Sequence, residues 1–106
     1  MYLSNITKNK IKESLLQVAP DASIILYGSQ ARGDADMDSD IDILILLPDA
    51  LGNEEFVKRK IQISGRLYDL SLELGVEISP LILVPKVFNA YATPFTENIK
   101  REGVAL

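Results

Sequence analysis

The sequence predicts a single α/β (α+β) domain spanning residues 1–106. Three observations support this. Stretches with apolar residues at helical spacing alternate with short apolar runs of strand length. Gly and Pro mark the boundaries between them. The 106 residues, free of repeats, low-complexity tracts and linkers, suffice for one hydrophobic core but not for two.

The elements follow in order. Ile11, Leu15, Val18 and Ala19 share a helical face, with Ser4 placed to cap the helix and Pro20 to end it. Ser23–Tyr27 reads as a short apolar strand stopped by Gly28. The stretch from Gly28 to Gly33 is a turn able to open a short helix, which the Ser29 hydroxyl can cap. Ile41–Leu47 is apolar on both faces beyond Asp42, so it is predicted to run through the middle of a sheet, closed by Pro48. From Glu54 to Leu74, Phe56, Ile63, Leu67, Leu70 and Leu74 recur with a helical period, and Gly75 suits the C-cap. Gly65 inside that helix is either a local weakness or a place where something packs closely. Lys58, Arg59 and Lys60 are consecutive there, splay over different faces and are expected to form a solvated surface. Val76–Val84 is predicted as a third strand, which Pro80 directs to an edge or a bulge. Thr93-Pro94 opens a final helix ended by Gly103.

The composition excludes a good deal of chemistry. There is no histidine, cysteine or tryptophan, hence no catalytic triad, thiol nucleophile, disulfide or zinc site of the usual kind. Reactions are left to carboxylates, hydroxyls, lysines, backbone amides or a hard metal ion held by oxygen. The net charge is −4, and five of the 15 acids alternate through Asp34, Asp36, Asp38, Asp40 and Asp42. Without them the chain carries ten acidic and 11 basic residues, so its acidity is local. General nucleic-acid binding is not predicted, because it calls for a basic face. No apolar run is long enough to span a bilayer and no signal peptide opens the chain, so a cytoplasmic location is expected.

The chemistry concentrates between Tyr27 and Asp42. Gly28-Ser29 after an apolar strand lets the backbone approach a phosphate, to which Ser29 can also donate. Asp40 and Asp42, two residues apart at the head of a strand, project to the same face. At roughly 6–7 Å they repel by about 2.5 kcal/mol at an effective dielectric near 20. A divalent cation between them reverses that sign, and oxygen-only ligands select magnesium, manganese or calcium. Asp34, Asp36 and Asp38 also fit the first three ligand positions of a calcium loop. However, Ser39 stands at its glycine position and Ile45 at its closing glutamate, which argues against that assignment. Those three acids read more simply as a solvated loop.

Gly28-Ser29-Gln30-Ala31-Arg32-Gly33, followed by Ser39-Asp40-Ile41-Asp42-Ile43, resembles the signature of the minimal nucleotidyltransferases (MNT) of the DNA polymerase β superfamily. Asp40 lies 11 residues after Ser29, the spacing that family uses. Each half is a weak motif; joined at this spacing, with strand patterns on both sides, they are specific. The resemblance covers most of the chain. It implies a small mixed β-sheet flanked by helices, the palm-like fold of polymerase β, and transfer of NMP from an NTP to an acceptor hydroxyl with release of pyrophosphate. Gly28 and Ser29 would hold the triphosphate, and Asp40 and Asp42 would bind two magnesium ions. Arg32 would touch phosphate or pair with the nearby aspartates. The family usually has a third carboxylate on the next strand. Glu77 is the candidate here, unless that position corresponds to Ser79 or Leu81, which would leave the triad incomplete.

The resemblance also implies a partner. Antibiotic-modifying members carry a helical domain that supplies the acceptor pocket, and this chain leaves no room for one after Leu106. Minimal members are commonly encoded beside a small helical HEPN-family protein, as a prokaryotic toxin–antitoxin pair in which AMP passes to a tyrosine of the toxin. The expectation is an ATP- and Mg2+-dependent protein nucleotidyltransferase acting as an antitoxin. Val104-Ala105-Leu106, Phe88, Tyr91 and Phe95 would face a partner or, for most of them, the core. Two alternatives stand beside it: a module of the same fold that neutralises its partner by contact alone, and an enzyme modifying a small-molecule hydroxyl with a helical partner subunit.

Overall fold

The computed structural model describes residues 3–35 and 39–106. Its sheet is built on β2 (Ile41–Leu46), which pairs antiparallel with β1 (Ser23–Tyr27) on one side and parallel with β3 (Ile78–Leu83) on the other. A two-residue strand, β4 (Val104–Ala105), lies antiparallel to β1, giving the order β3–β2–β1–β4. The sheet is therefore mixed. The parallel β2–β3 pair needs a long crossover, which α3 (Asn53–Leu74) supplies. β3 is an edge strand, as Pro80 required, although it starts two residues later than the sequence pattern suggests. The cause lies at the end of α3. Gly75 adopts φ +68°, and the Gly75 and Val76 amides both donate to the Ser71 carbonyl (2.9 and 3.2 Å), holding Val76 to the helix.

The two faces of the sheet are covered by different helices. On one, Ile11 and Leu15 of α1 (Asn5–Val18) and Ile63, Leu67 and Leu70 of α3 pack over Ile24, Leu26, Ile41, Ile43 and Ile45. Full burial of each isoleucine in β2 contributes about 1.5–3 kcal/mol. The Ser4 hydroxyl caps α1 by accepting from the Thr7 amide at 3.1 Å. On the other face a smaller cluster joins Leu44 to Phe88 of α4 (Pro85–Ala90) and Ile99 of α5 (Pro94–Glu102). α4 was not legible in the sequence; its first turn is fixed by Asp49, whose carboxylate accepts from the Lys86 amide at 2.9 Å.

Two details differ from the sequence pattern. Arg59 is not part of a solvated basic surface: its side chain is largely buried and pairs with Asp21 (2.7 Å) and, one helical turn back, with Glu55 (3.2 Å). The Arg59 hydrogen bond holds the Asp21 carboxyl below its ordinary value of 3.8. Stability from this pair is thus fully present above that value and lost as the pH falls through the lowered one. The C-terminal residues, in turn, join the sheet, and the Leu106 amide donates to the Ile24 carbonyl at 2.9 Å.

Gly103 makes that return possible. A Cβ there would lie 2.5 Å from the Ile99 carbonyl oxygen and 2.6 Å from Ile25 Cγ2, with no flexible end to move aside. Gly103→Ala is expected to lower stability by about 1–3 kcal/mol, read as a shift in the urea midpoint. An unchanged midpoint would show that this junction is loose.

Candidate active site

The site forms where β1 ends and β2 begins. β1 runs into Gly28, whose φ of +73° and ψ of −156° are open to glycine and strained for other residues. The chain then turns into α2 (Ser29–Arg32), closed by Gly33 in the left-handed region. Gly28 itself is the N-cap of α2, and no side chain caps it, so the Ser29 hydroxyl is not spent on the helix. A Cβ on Gly28 would lie 2.5 Å from Asp42 Oδ2. The glycine is what lets the turn and the carboxylate come together.

Asp42 follows the pleat of β2. It shares a face with Leu44 and Leu46, the face covered by α4 and α5, and stands opposite Tyr27 of β1 and Ser79 of β3. Burial, and then the charge of Asp40, push the Asp42 carboxyl above its ordinary value, while Arg32 opposes the shift. Burial and the Asp42 charge likewise raise Tyr27. Asp40 is exposed, just ahead of the strand, and its Oδ2 accepts from the Ser79 hydroxyl at 3.5 Å, the long limit of a hydrogen bond.

Glu77 is placed differently. It lies in the turn before β3, exposed, with its backbone carbonyl accepting from the Ile41 amide at 2.9 Å. Among the described residues no three acidic side chains gather closely enough to hold one ion. Arg32 pairs with Asp34 (3.2 Å) and with Glu102 of α5 (3.2 Å). Asp36 and Asp38 lie outside the described residues.

An open cavity of about 320 Å³ joins these groups. Gly28, Ser29, Arg32 and Asp42 form one side of it, and Phe95, Asn98 and Glu102 of α5 form the other. Tyr27 and Phe95 meet edge to face at 5.9 Å between ring centres. The contribution of α5 was missed by sequence reasoning. Thr93-Pro94 announced the helix, but nothing in the sequence said that β4 would fold it back over the site.

Gln30 is the anomaly of α2. It is 6% exposed, and neither side-chain amide atom has a hydrogen-bond partner. An unsatisfied buried amide costs about 1–3 kcal/mol, so Gln30→Met, similar in volume, is expected to raise the thermal midpoint. A fall would show that the amide finds a partner in solution.

With this geometry in hand, comparison with known proteins gives concordant results. A family described as "Nucleotidyltransferase domain" matches residues 8–103. A protein of Methanocaldococcus jannaschii named as a protein adenylyltransferase is 38% identical over 82 residues, 76% of this chain and 74% of that protein. Among solved structures, a toxin–antitoxin complex with AMP-PNP superposes with a TM-score of 0.65 at 24% identity, covering 92% of this chain and 70% of that one. A Shewanella oneidensis complex of a tri-AMPylated HEPN toxin with an MNT antitoxin gives 0.62 at 21% identity, covering 97% and 71%. At these identities the structural likenesses speak to the fold. No helix among the described residues is long and apolar enough to cross a membrane.

Proposed function

The chain belongs to the nucleotidyltransferase domain family, and from that premise we propose that it moves AMP from ATP, with magnesium, onto a protein hydroxyl, a tyrosine of a helical HEPN-type toxin for which it is the antitoxin. The observation that carries this reading is the single cavity onto which the Gly28–Ser29 turn and Asp42 both open. The M. jannaschii relative named as a protein adenylyltransferase supports a protein acceptor. The likeness in fold to a complex with an AMPylated HEPN toxin supports the partner.

The residues fit a hard divalent cation. Asp40 and Asp42 offer oxygen alone, and Asp42 is a partly buried carboxylate beside a like charge, an arrangement that a cation relieves. A bound magnesium would supply charge neutralisation for the triphosphate and a lowered pKa for the acceptor hydroxyl. The chain supplies the rest. Gly28, lacking a side chain, admits the triphosphate beside Asp42; Ser29 donates its free hydroxyl to a phosphate oxygen. Arg32 is within reach of the same phosphates once it exchanges Asp34 or Glu102 for them, and those exposed pairs stabilise little. The acceptor oxygen bonds to the α-phosphorus as the bond from that phosphorus to the pyrophosphate oxygen breaks, and the hydroxyl proton leaves to solvent.

The third position of the metal site is open to Glu77 or Ser79. We place Ser79 there, because its hydroxyl reaches Asp40 while Glu77 stays outside the strand. Glu77→Gln is accordingly expected to leave transfer unchanged, and Ser79→Asp to raise it. With Ser79 there, no third acid among the described residues completes the pair, and this favours a second reading, in which the fold neutralises its partner by contact. One experiment separates the two: labelled ATP, magnesium and the co-purified partner are incubated with the protein. Label on a tyrosine of the partner supports transfer; a tight complex without label supports contact alone. Loss of label in Glu77→Gln would return Glu77 to the site.

A further inference from the structure

The outer surface of α3 takes no part in the site between β1 and β2. This helix of 22 residues, about 33 Å long, buries Ile63, Leu67 and Leu70 against the sheet. Nearly opposite runs a second apolar stripe: Val57, Ile61, Tyr68 and Leu72, which are 52%, 67%, 57% and 68% exposed. Their spacing, with Gly65 between, keeps them on one face through four turns. Single exposed apolar residues need no explanation, but a continuous stripe does. Gly65 sits at its middle with nothing within 4 Å of where a Cβ would be, so no part of this chain explains a helix-weakening glycine. An open groove of about 410 Å³ runs beside it, lined by Ser14, Ile61, Gly65 and Asp69 among others.

The stripe is complementary to itself. A two-fold axis beside the Ser64–Gly65 step, with two α3 helices antiparallel, sets Val57 against Leu72 and Ile61 against Tyr68 in both directions. The two smallest side chains fall at the crossing, where they let the backbones approach. The operation also brings the N-terminal half of one helix beside the C-terminal half of the other. Lys58 and Asp69 lie on the same flank of the stripe, so each Lys58 meets the Asp69 of the second copy. Within one chain neither has an ion-pair partner among the described residues. We infer that the outer face of α3 is a homodimer interface, in which two copies pack α3 against α3 antiparallel across Gly65. This face lies across the sheet from Asp42, so the dimer leaves both cavities open, and the inference does not rest on nucleotidyl transfer.

Sedimentation equilibrium of the full chain is expected to show a reversible dimer between 1 and 100 μM, on the order of the affinity of a small interface. Ile61→Asp is expected to give a monomer with an unchanged circular dichroism spectrum. Lys58→Glu and Asp69→Lys should each weaken the dimer about tenfold, a loss of about 1.4 kcal/mol, and the double variant should restore it. Since the chain has no native cysteine, Gly65→Cys should form a disulfide-linked dimer on mild oxidation, whereas Val104→Cys, exposed on the edge strand β4, should not. A monomer at every concentration would overturn the inference. So would a dimer indifferent to Ile61→Asp, or one that the double charge exchange fails to restore.

Discussion

Asp40→Asn combined with Asp42→Asn is expected to abolish transfer, by at least about 10³-fold or 4 kcal/mol of barrier, while leaving the fold intact. Asp40 and Asp42 are carboxylates at the turn-facing end of β2, and among the described residues no third acid joins them closely enough to take over. Stability should move the other way. Asp42 is held ionised at a cost, from burial first and from Asp40 second. Replacing the pair with neutral amides removes that cost, so the thermal midpoint in EDTA should rise. Activity and stability changing in opposite directions is the signature of charges kept for function. Label transfer to the partner, magnesium titration by calorimetry and a melt in EDTA read the three effects. Persistent labelling would sink the site, and a falling midpoint would show that Asp40 and Asp42 are paired in solution.

Gly28→Ala is expected to be nearly as damaging, for a geometric reason. Its φ of +73° with ψ of −156° costs a side chain about 1–3 kcal/mol. The new methyl would also sit 2.5 Å from Asp42 Oδ2, a contact that forces the carboxylate away. A displacement of about 1 Å at a reacting centre costs on the order of 10²-fold. Transfer should therefore fall at least that far, and the affinity for Mg-ATP should fall with it. Backbone strain and the clash both act against the folded state, so stability should fall at least as far as in Gly103→Ala. A variant with wild-type kcat/KM would mean that the turn and Asp42 act apart.

Much of this architecture is legible in the sequence because its determinants are local. The spacing of Ile11 and Leu15, the Ser4 cap and the Gly75 stop act within a turn or two of themselves. Gly28, Ser29, Asp40 and Asp42 are recognisable because one strand end and one turn create their environment. What escaped the sequence depends on register and return. Whether Glu77 or Ser79 faces the aspartates is decided by how α3 ends, since the turn at Gly75 delays β3 to Ile78. A strand of two residues such as β4 carries no periodicity at all. Yet β4 sends α5 back over the sheet and so sets Phe95 and Asn98 against the turn. Gln30 shows the converse, a polar residue whose burial no pattern announces.

The position of α5 has a kinetic consequence. The helix is anchored at its start by the reciprocal Thr93–Thr96 capping box and at its end by the β4 ladder and the Leu106 amide. A wall fixed at both ends does not swing. The cavity is expected to keep its width before any ligand arrives, so that nucleotide capture would proceed at the rate of collision and orientation rather than of closure.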